Sequence, residues 1–567
     1  MAVIGSGFGG AIMACRLAES GAFDVEVLER GGGYPRGSFP RGPDALSRAF
    51  WQPERSSFGF LEYRSFAHSH IDVLTAAGVG GGSLIYSNVL YRMPAEFFET
   101  WPGNIRRATL EPYYDRAVAM LEATPYPMRR DWPYWEGTPK ARALAEVAAK
   151  IAASPEGHPK VELAWPPLAV QFGPEPGRER VNEQGVGQTT CIMCGECNIG
   201  CNTAAKNTLD LNYLARAQRF GAKVRPHTEV RAIVPRGAGD GGGFDLRLAD
   251  PREKRGNGNG DGNGDGGGNG DGDGNGERGE RGERVETFDR VVLAAGSLGS
   301  TELVLGMRAR TKLPAATGTR WSPNGDMLGF VLGTEWPLDP SAGPVITGAL
   351  HVASARYPDG FAGGAWIEDG GIPGLLAWYQ RGRTGTLRSD VGAVAGFFDY
   401  LAQVTGLRHG GANVGADLGA VLFGASRTFP PNTLLMLGMG RDRATGTMVL
   451  GAPDDGLALH WSPGAGELHY QRARATMELI ARALGGQLVE NPLDDVLRRY
   501  VSVHPVGGLP LGDDDGTGAV DVRTGELFGC PGLYVVDGSI LPDAVGPNPA
   551  LTIAALAEMY AERMCHA

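Results

Sequence analysis

The stretch MAVIGSGFGGAIMACRLAES, residues 1–20, followed by VEVLER at 25–30, decides how this chain folds. A short apolar run, 2–4, ends at Gly5, and an apolar helix pattern opens at residue 8. Gly5 permits a tight turn, Gly7 lets the backbone approach a pyrophosphate, and Gly10 lets the helix pack closely on the strand. The helix start then turns its free N–H groups toward the phosphates. Glu29 ends the second strand pattern, where an acid accepts hydrogen bonds from a ribose hydroxyl. GxGxxG alone is a weak signal. Here a strand precedes it, a helix follows it and the acid is at the right distance, so the stretch is a dinucleotide-binding βαβ unit.

Working outward, similar units recur. Residues 72–94, DVLTAAGVGGGSLIYSNVLYRMP, form a second glycine-rich segment. A helix pattern at 208–220 leads into the strand pattern KVRPHTEVRAIV (223–234). The strand RVVLAAG (290–296) is followed by the helix SLGSTELVLG (297–306). The last segment, LYVVDGSILPDAVGPNPALTIAALAEMYAERM (533–564), reads as strand, loop and long helix. Strand–turn–helix units at both ends imply one nucleotide domain assembled from 1–100, 200–304 and 500–567. Residues 101–199 and 305–499 are then a substrate-covering region. Residues 256–283 are a Gly/Asn/Asp run that cannot bury a core, and are expected to be a disordered loop. The run lacks the regular apolar position of calcium-binding repeats. The amphipathic segment GAVAGFFDYLAQVTGL (392–407) is expected to be a packed helix, with a membrane-touching lid as the alternative.

The chain has 567 residues, enough for two or more domains, and its 42% hydrophobic and 21% charged residues are those of an ordinary globular protein. A net charge of −11 argues against nucleic acid and against a general attraction to anionic membranes. No run of eighteen apolar residues occurs. No signal peptide precedes the glycine motif as written, so a cytoplasmic location is expected. The first strand is short against the usual five or six residues. A longer natural start carrying a leader would change that expectation.

Six motifs, GSGFGG (5–10), GVGGGSLIYSN (78–88), AAGSLGSTELVL (294–305), SPNGDML (322–328), VHPVGGLPLG (503–512) and the 533–558 segment, occur in order along nearly the whole chain. Together they resemble the glucose–methanol–choline (GMC) family of FAD oxidoreductases, in its cholesterol oxidase-like branch. The resemblance implies an α/β (α+β) fold: a discontinuous Rossmann-like FAD domain plus an antiparallel-sheet substrate domain. It implies that Gly5, Gly7, Gly10 and Glu29 bind the ADP half of FAD. Gly80, Gly81, Gly82 and Ser83 would run along the pyrophosphate and flavin, Val230 would meet the adenine through its backbone, and Asp537 and Gly538 would face the ribityl–flavin end. His504 and Asn548 match the family's active-site pair. Glu368, in AWIEDGG (365–371), matches by spacing the carboxylate that moves a ring proton in Δ5-to-Δ4 isomerisation, and the adjacent Asp369 could serve instead.

The chemistry suits these residue types. Oxidising an alcohol sends a hydride to the flavin, and the hydroxyl proton needs an acceptor within hydrogen-bond reach. An imidazole does this near neutral pH. Asn548 can orient the alcohol oxygen without adding charge. Taken singly, a His before Pro is a structural residue and Asn in PNP a turn former; the motifs around them make the pair catalytic.

Cys191, Cys194, Cys197 and Cys201 form a C-x2-C-x2-C-x3-C run in TTCIMCGECNIGCNTAAKNT (189–208). The spacing is that of bacterial ferredoxins, with Asn202 where Pro is usual. The well-studied secreted cholesterol oxidases lack this run, whereas some flavin dehydrogenases of the same family carry an iron–sulfur cluster before an Ala-Lys pair, here Ala205-Lys206. An iron–sulfur cluster, a zinc knot and free thiols all remain open; disulfides are not expected without export. Cys15 is expected in the core, with Cys530 and Cys565 incidental. His68 and His70 lie where some family members tether FAD covalently.

The leading expectation is FAD-dependent oxidation of a sterol or another bulky apolar alcohol. The electron acceptor is oxygen if the cysteines are inert, and a redox protein if they hold a cluster. A lyase or photodecarboxylase on the same scaffold is the alternative, although no cation near His504 or Asn548 is evident to hold a carboxylate. A non-catalytic flavoprotein would not need the His504/Asn548 pair.

Overall fold

The computed structural model describes the chain except for residues 42–46, 155–159, 238, 240, 254–282, 372–431, 452–455, 491–499 and 567. The Gly/Asn/Asp run up to residue 282 and the amphipathic segment 392–407 therefore lie outside the described residues.

A five-stranded parallel sheet forms the centre of the nucleotide-binding half, in the order Lys223–Arg225, Glu26–Leu28, Ala2–Ile4, Val291–Leu293, Leu533–Val535. Each strand has only three residues. Most of these side chains are fully buried, as parallel strands covered on both faces must be. The helix Phe8–Glu19 packs against Tyr213–Arg219 and against the C-terminal helix Ala550–His566. Glu558, with no exposed surface, ties the three together: it accepts from Arg16 Nε and Nη2, both at 2.8 Å, and from Tyr213 Oη at 2.7 Å. The antiparallel pair Phe244–Ala249 and Arg284–Phe288 puts Leu248 opposite Arg284, so the Gly/Asn/Asp run is inserted in the connection between two paired strands.

The second sheet is antiparallel and six-stranded, in the order Gln487–Glu490, Met327–Leu332, Leu434–Gly440, Ala362–Gly370, Ala349–Arg356, Val161–Ala164. Helices Pro139–Ala152 and Glu467–Ala483 cover it. The strand Ala362–Gly370 is buried along its whole length, which is how a sheet normally polar on one face comes to hold an acid without solvent. An α/β nucleotide fold with an antiparallel-sheet second unit is what the motifs lead one to expect. No helix among the described residues is long and apolar enough to cross a membrane.

Candidate active site

A cavity of about 1150 Å³ runs from the edge of the parallel sheet to the antiparallel one. Its first end is lined by Glu29, Thr228 and Val230, its middle by Gly5, Gly7, Gly81 and Gly82, and its far end by Gly296, Asp537, Gly538 and His504. Beyond these the walls turn apolar, with Leu328, Phe330, Val345, Ile346, Leu435 and Leu437.

The glycine cradle is shaped for a ligand as well as for packing. Gly5 sits at φ +94°, and a Cβ there would lie 2.3 Å from Ala294 O. A Cβ on Gly9 would lie 1.6 Å from Val536 O, and one on Gly10 2.0 Å from Gly5 O. Gly10 thus serves helix packing and does not line the cavity. At Gly7 a Cβ would meet only Gly81 Cα, 3.9 Å away. The space beside Gly7 is therefore left open. The helix after it has no side-chain cap, so its first N–H groups are free for an anion. Ser6 Oγ and N donate to Glu29 Oε2, at 2.7 and 3.1 Å, and Gly31 N donates to Oε1 at 3.0 Å. Burial pushes the Glu29 carboxyl above its usual range while these donors oppose it. Gly80 and Ser83 support the second loop and do not line the cavity: Gly80 N donates to Ser6 Oγ, Ser83 Oγ donates to Gly80 O, and Leu209 N donates to Ser83 Oγ. Asp537 accepts from Gly296 N, Ser300 Oγ, Ser539 N and Ser539 Oγ, which joins the loops at the far end. These features fit FAD.

His504 follows the strand Tyr500–Ser502 and precedes Pro505 at the cavity wall. Its Nδ1 lies 2.8 Å from Asp326 Oδ1, while Asp326 Oδ2 accepts from Val503 N at 2.7 Å and His504 N at 2.9 Å. Two residues upstream, Asn324 Oδ1 accepts from Val545 N and Gly546 N, and its Nδ2 donates to the carbonyls of Gly546 and Pro547. One short loop, 322–326, therefore fixes both His504 and the turn that carries Asn548. Asn324 and Asp326 were not singled out among the site residues read from sequence. The signal was present as SPNGDML, but a polar pair in a glycine turn carries no role until its partners are known.

Asn548 is buried and its Oδ1 has no hydrogen-bond partner. Glu368 faces it from Ala362–Gly370, is wholly buried, and neither of its oxygens completes a hydrogen bond. Burial raises the Glu368 carboxyl well above the usual range, despite the nearby Asn548 amide. Asp369 is committed elsewhere: it accepts from Thr347 N at 2.7 Å, Gly348 N at 2.9 Å and Thr347 Oγ1, with Lys140 Nζ 3.7 Å away. Of the two acids, Glu368 has the Asn548 amide beside it, and Asp369 is held by Thr347 and Gly348.

The four clustered cysteines line one small void with Lys206. Among the described residues, however, no three His, Cys, Asp or Glu side chains converge as a metal site. That bears equally on the iron–sulfur and the zinc readings of the four thiols. All seven cysteines are unpaired. Lys206 Nζ is held by the carbonyls of Leu84, Tyr86 and Cys197. The next residues of this loop, Asn198 and Ile199, line the large cavity. His68 and His70 lie at the turn Ala67–Ser69 and do not line it.

The GMC oxidoreductase family model matches residues 471–557, which include His504 and Asn548. That stretch of the chain is GMC oxidoreductase-like. A cholesterol oxidase of Mycobacterium tuberculosis is 28% identical over 99% of this chain and 90% of its own length. One from Acinetobacter baumannii is 26% identical over 98% and 92%. Among solved structures, a pyridoxine 4-oxidase from Mesorbium loti superposes with a TM-score of 0.58 at 15% identity, covering 100% of this chain and 99% of that one. A fungal aryl-alcohol oxidase gives 0.56 at 15%, covering 100% and 98%. These two share the fold. The chain is an FAD-dependent oxidoreductase of alcohol oxidation.

Proposed function

We propose that this enzyme oxidises the secondary hydroxyl of a sterol or a comparably bulky apolar alcohol, with oxygen as electron acceptor and peroxide as the reduced product. The observation that carries this reading is the position of His504, between the glycine cradle and a wall of aliphatic and aromatic side chains. An apolar pocket with a few convergent polar groups binds a large hydrophobic alcohol by area and orients it by its one hydroxyl. His504 takes the hydroxyl proton, and Asn548 lies buried on the neighbouring turn with its amide oxygen unpartnered. FAD supplies the acceptor for the hydride. Both full-length relatives named above are cholesterol oxidases, which supports the sterol class.

Glu368 extends the reading. A buried carboxylate beside Asn548 that accepts a proton from one ring carbon and returns it to another would release a Δ5 sterol as the conjugated Δ4 ketone. A lyase or decarboxylase is not favoured. The cations lining the cavity, Arg30, Arg64 and Arg231, each bond a glutamate, and the wall beyond His504 carries none among the described residues. An iron–sulfur group on Cys191, Cys194, Cys197 and Cys201 is the alternative outlet for electrons, favoured by the adjacency of that loop to the cavity. Iron and sulfide analysis of anaerobically purified protein separates the two routes.

The test is anaerobic mixing of the flavoprotein with cholesterol-class sterols and long-chain alcohols, followed by admission of air. Bleaching of the flavin by a sterol, then stoichiometric peroxide, is expected. His504→Ala should slow bleaching about 10²–10⁴-fold. If none of these alcohols bleaches the flavin, the reading is wrong.

A further inference from the structure

The geometry points to Asp326 as the positioning residue that holds the proton of His504 on Nδ1 and leaves Nε2 bare to accept the alcohol proton. This rests on the reading of His504 as the base.

Asp326 is 1% exposed and lies on the loop entering the strand Met327–Leu332. Its Oδ2 takes two backbone N–H groups, from Val503 and His504, so the carboxylate is clamped to the very segment that carries the imidazole. Its Oδ1 then meets His504 Nδ1 at 2.8 Å. A carboxylate only accepts, so the ring nitrogen facing it must donate. A neutral imidazole has one N–H, and spending it on Asp326 leaves a lone pair on Nε2.

The other titratable groups facing Asp326 do not compete for that role. Burial pushes the Glu368 carboxyl well above the usual range and Asp442 up to about 8, which opposes a charge on either. His469 is held down to about 4 by burial and is neutral, its Nε2 bound to Gly325 O. Arg441 is paired with Asp543. The charge beside His504 is therefore that of Asp326. In the reaction the alcohol O–H and C–H bonds break and the C=O bond forms. The carbon-bound hydrogen leaves with its electron pair to the flavin, and the proton reaches Nε2. The resulting imidazolium sits against a fixed negative charge.

The decisive variant is Asp326→Asn. Its Oδ1 can still accept the two backbone N–H groups, but its amide donates toward Nδ1 and drives the ring proton to Nε2. Anaerobic flavin reduction is expected to fall about 10²–10⁴-fold with KM changed less than about threefold, as for a general base in the wrong tautomer. The pH at which activity is half-lost on the acid side should move, and Asp326→Glu should recover part of the rate. A second readout needs no turnover: ¹⁵N spectra of histidine-labelled enzyme, with His504 assigned by its loss in His504→Gln. Wild type should show Nδ1 protonated and Nε2 bare at neutral pH. A bare Nδ1 in wild type, or an unchanged rate and pH profile in Asp326→Asn, overturns the inference. The wild-type spectrum decides it even if the variant does not fold, or if no alcohol reduces the flavin.

Discussion

Two glycines two residues apart separate folding from binding. Gly9 faces the Val536 carbonyl, a backbone atom that cannot swing away, so Gly9→Ala should cost several kcal/mol and leave little soluble protein. Gly7 faces open space and has φ −71°, which any residue adopts. Gly7→Ala should therefore keep the apoprotein's melting temperature within a few degrees while weakening FAD binding at least tenfold, measured by flavin fluorescence titration. Equal losses in both variants would mean that the space beside Gly7 is not kept for the cofactor. Glu368→Gln makes a similar separation within the chemistry. Oxidation of a saturated sterol should survive within about tenfold, whereas a Δ5 sterol should accumulate as the unconjugated ketone, read by the missing enone absorbance.

At the scale of the element, the loop 322–326 holds together groups that titrate in opposite directions. His469, beneath Gly325, is held down to about 4 by burial, from an ordinary value of 6.5. Its folded pKa is depressed, so its contribution is complete above about pH 6.5 and is lost as pH falls toward 4, a loss on the order of 3 kcal/mol. Asp442, bonded through Oδ1 to Ser322, is raised to about 8, so its contribution is complete only in acid and is lost as pH rises toward 8. Thermal melts should show His469→Gln flattening the decline between pH 6.5 and 4. Asp442→Asn should gain on wild type steadily from pH 5 to 8. The glycine motif, the parallel strands and the positions of His504 and Asn548 were legible in the sequence because each depends on neighbours close in the chain. The roles of Asn324 and Asp326 were not, because their partners lie about 180 to 220 residues away and a turn of Pro, Asn, Gly and Asp serves equally well as plain loop. The choice between Glu368 and Asp369 was likewise hidden. Asp369 is the one turned to the face of a buried strand that meets Thr347 and Gly348.

In the whole molecule, the large cavity passes the Cys loop and stays clear of His68 and His70. Denaturation in acid should therefore release FAD into the supernatant, with none retained on the protein when the two fractions are compared spectrally. The buried Glu558 also has a consequence in time. Residue 558 clasps a helix that begins at residue 8, and the carbonyl that faces Gly9 of that helix belongs to Val536, just after the outer strand Leu533–Val535. A ribosome adding about 5–20 residues per second needs on the order of a minute to pass from one to the other. The nascent chain thus carries its phosphate-binding turn, complete in sequence and incomplete in space, until residue 558 has been added.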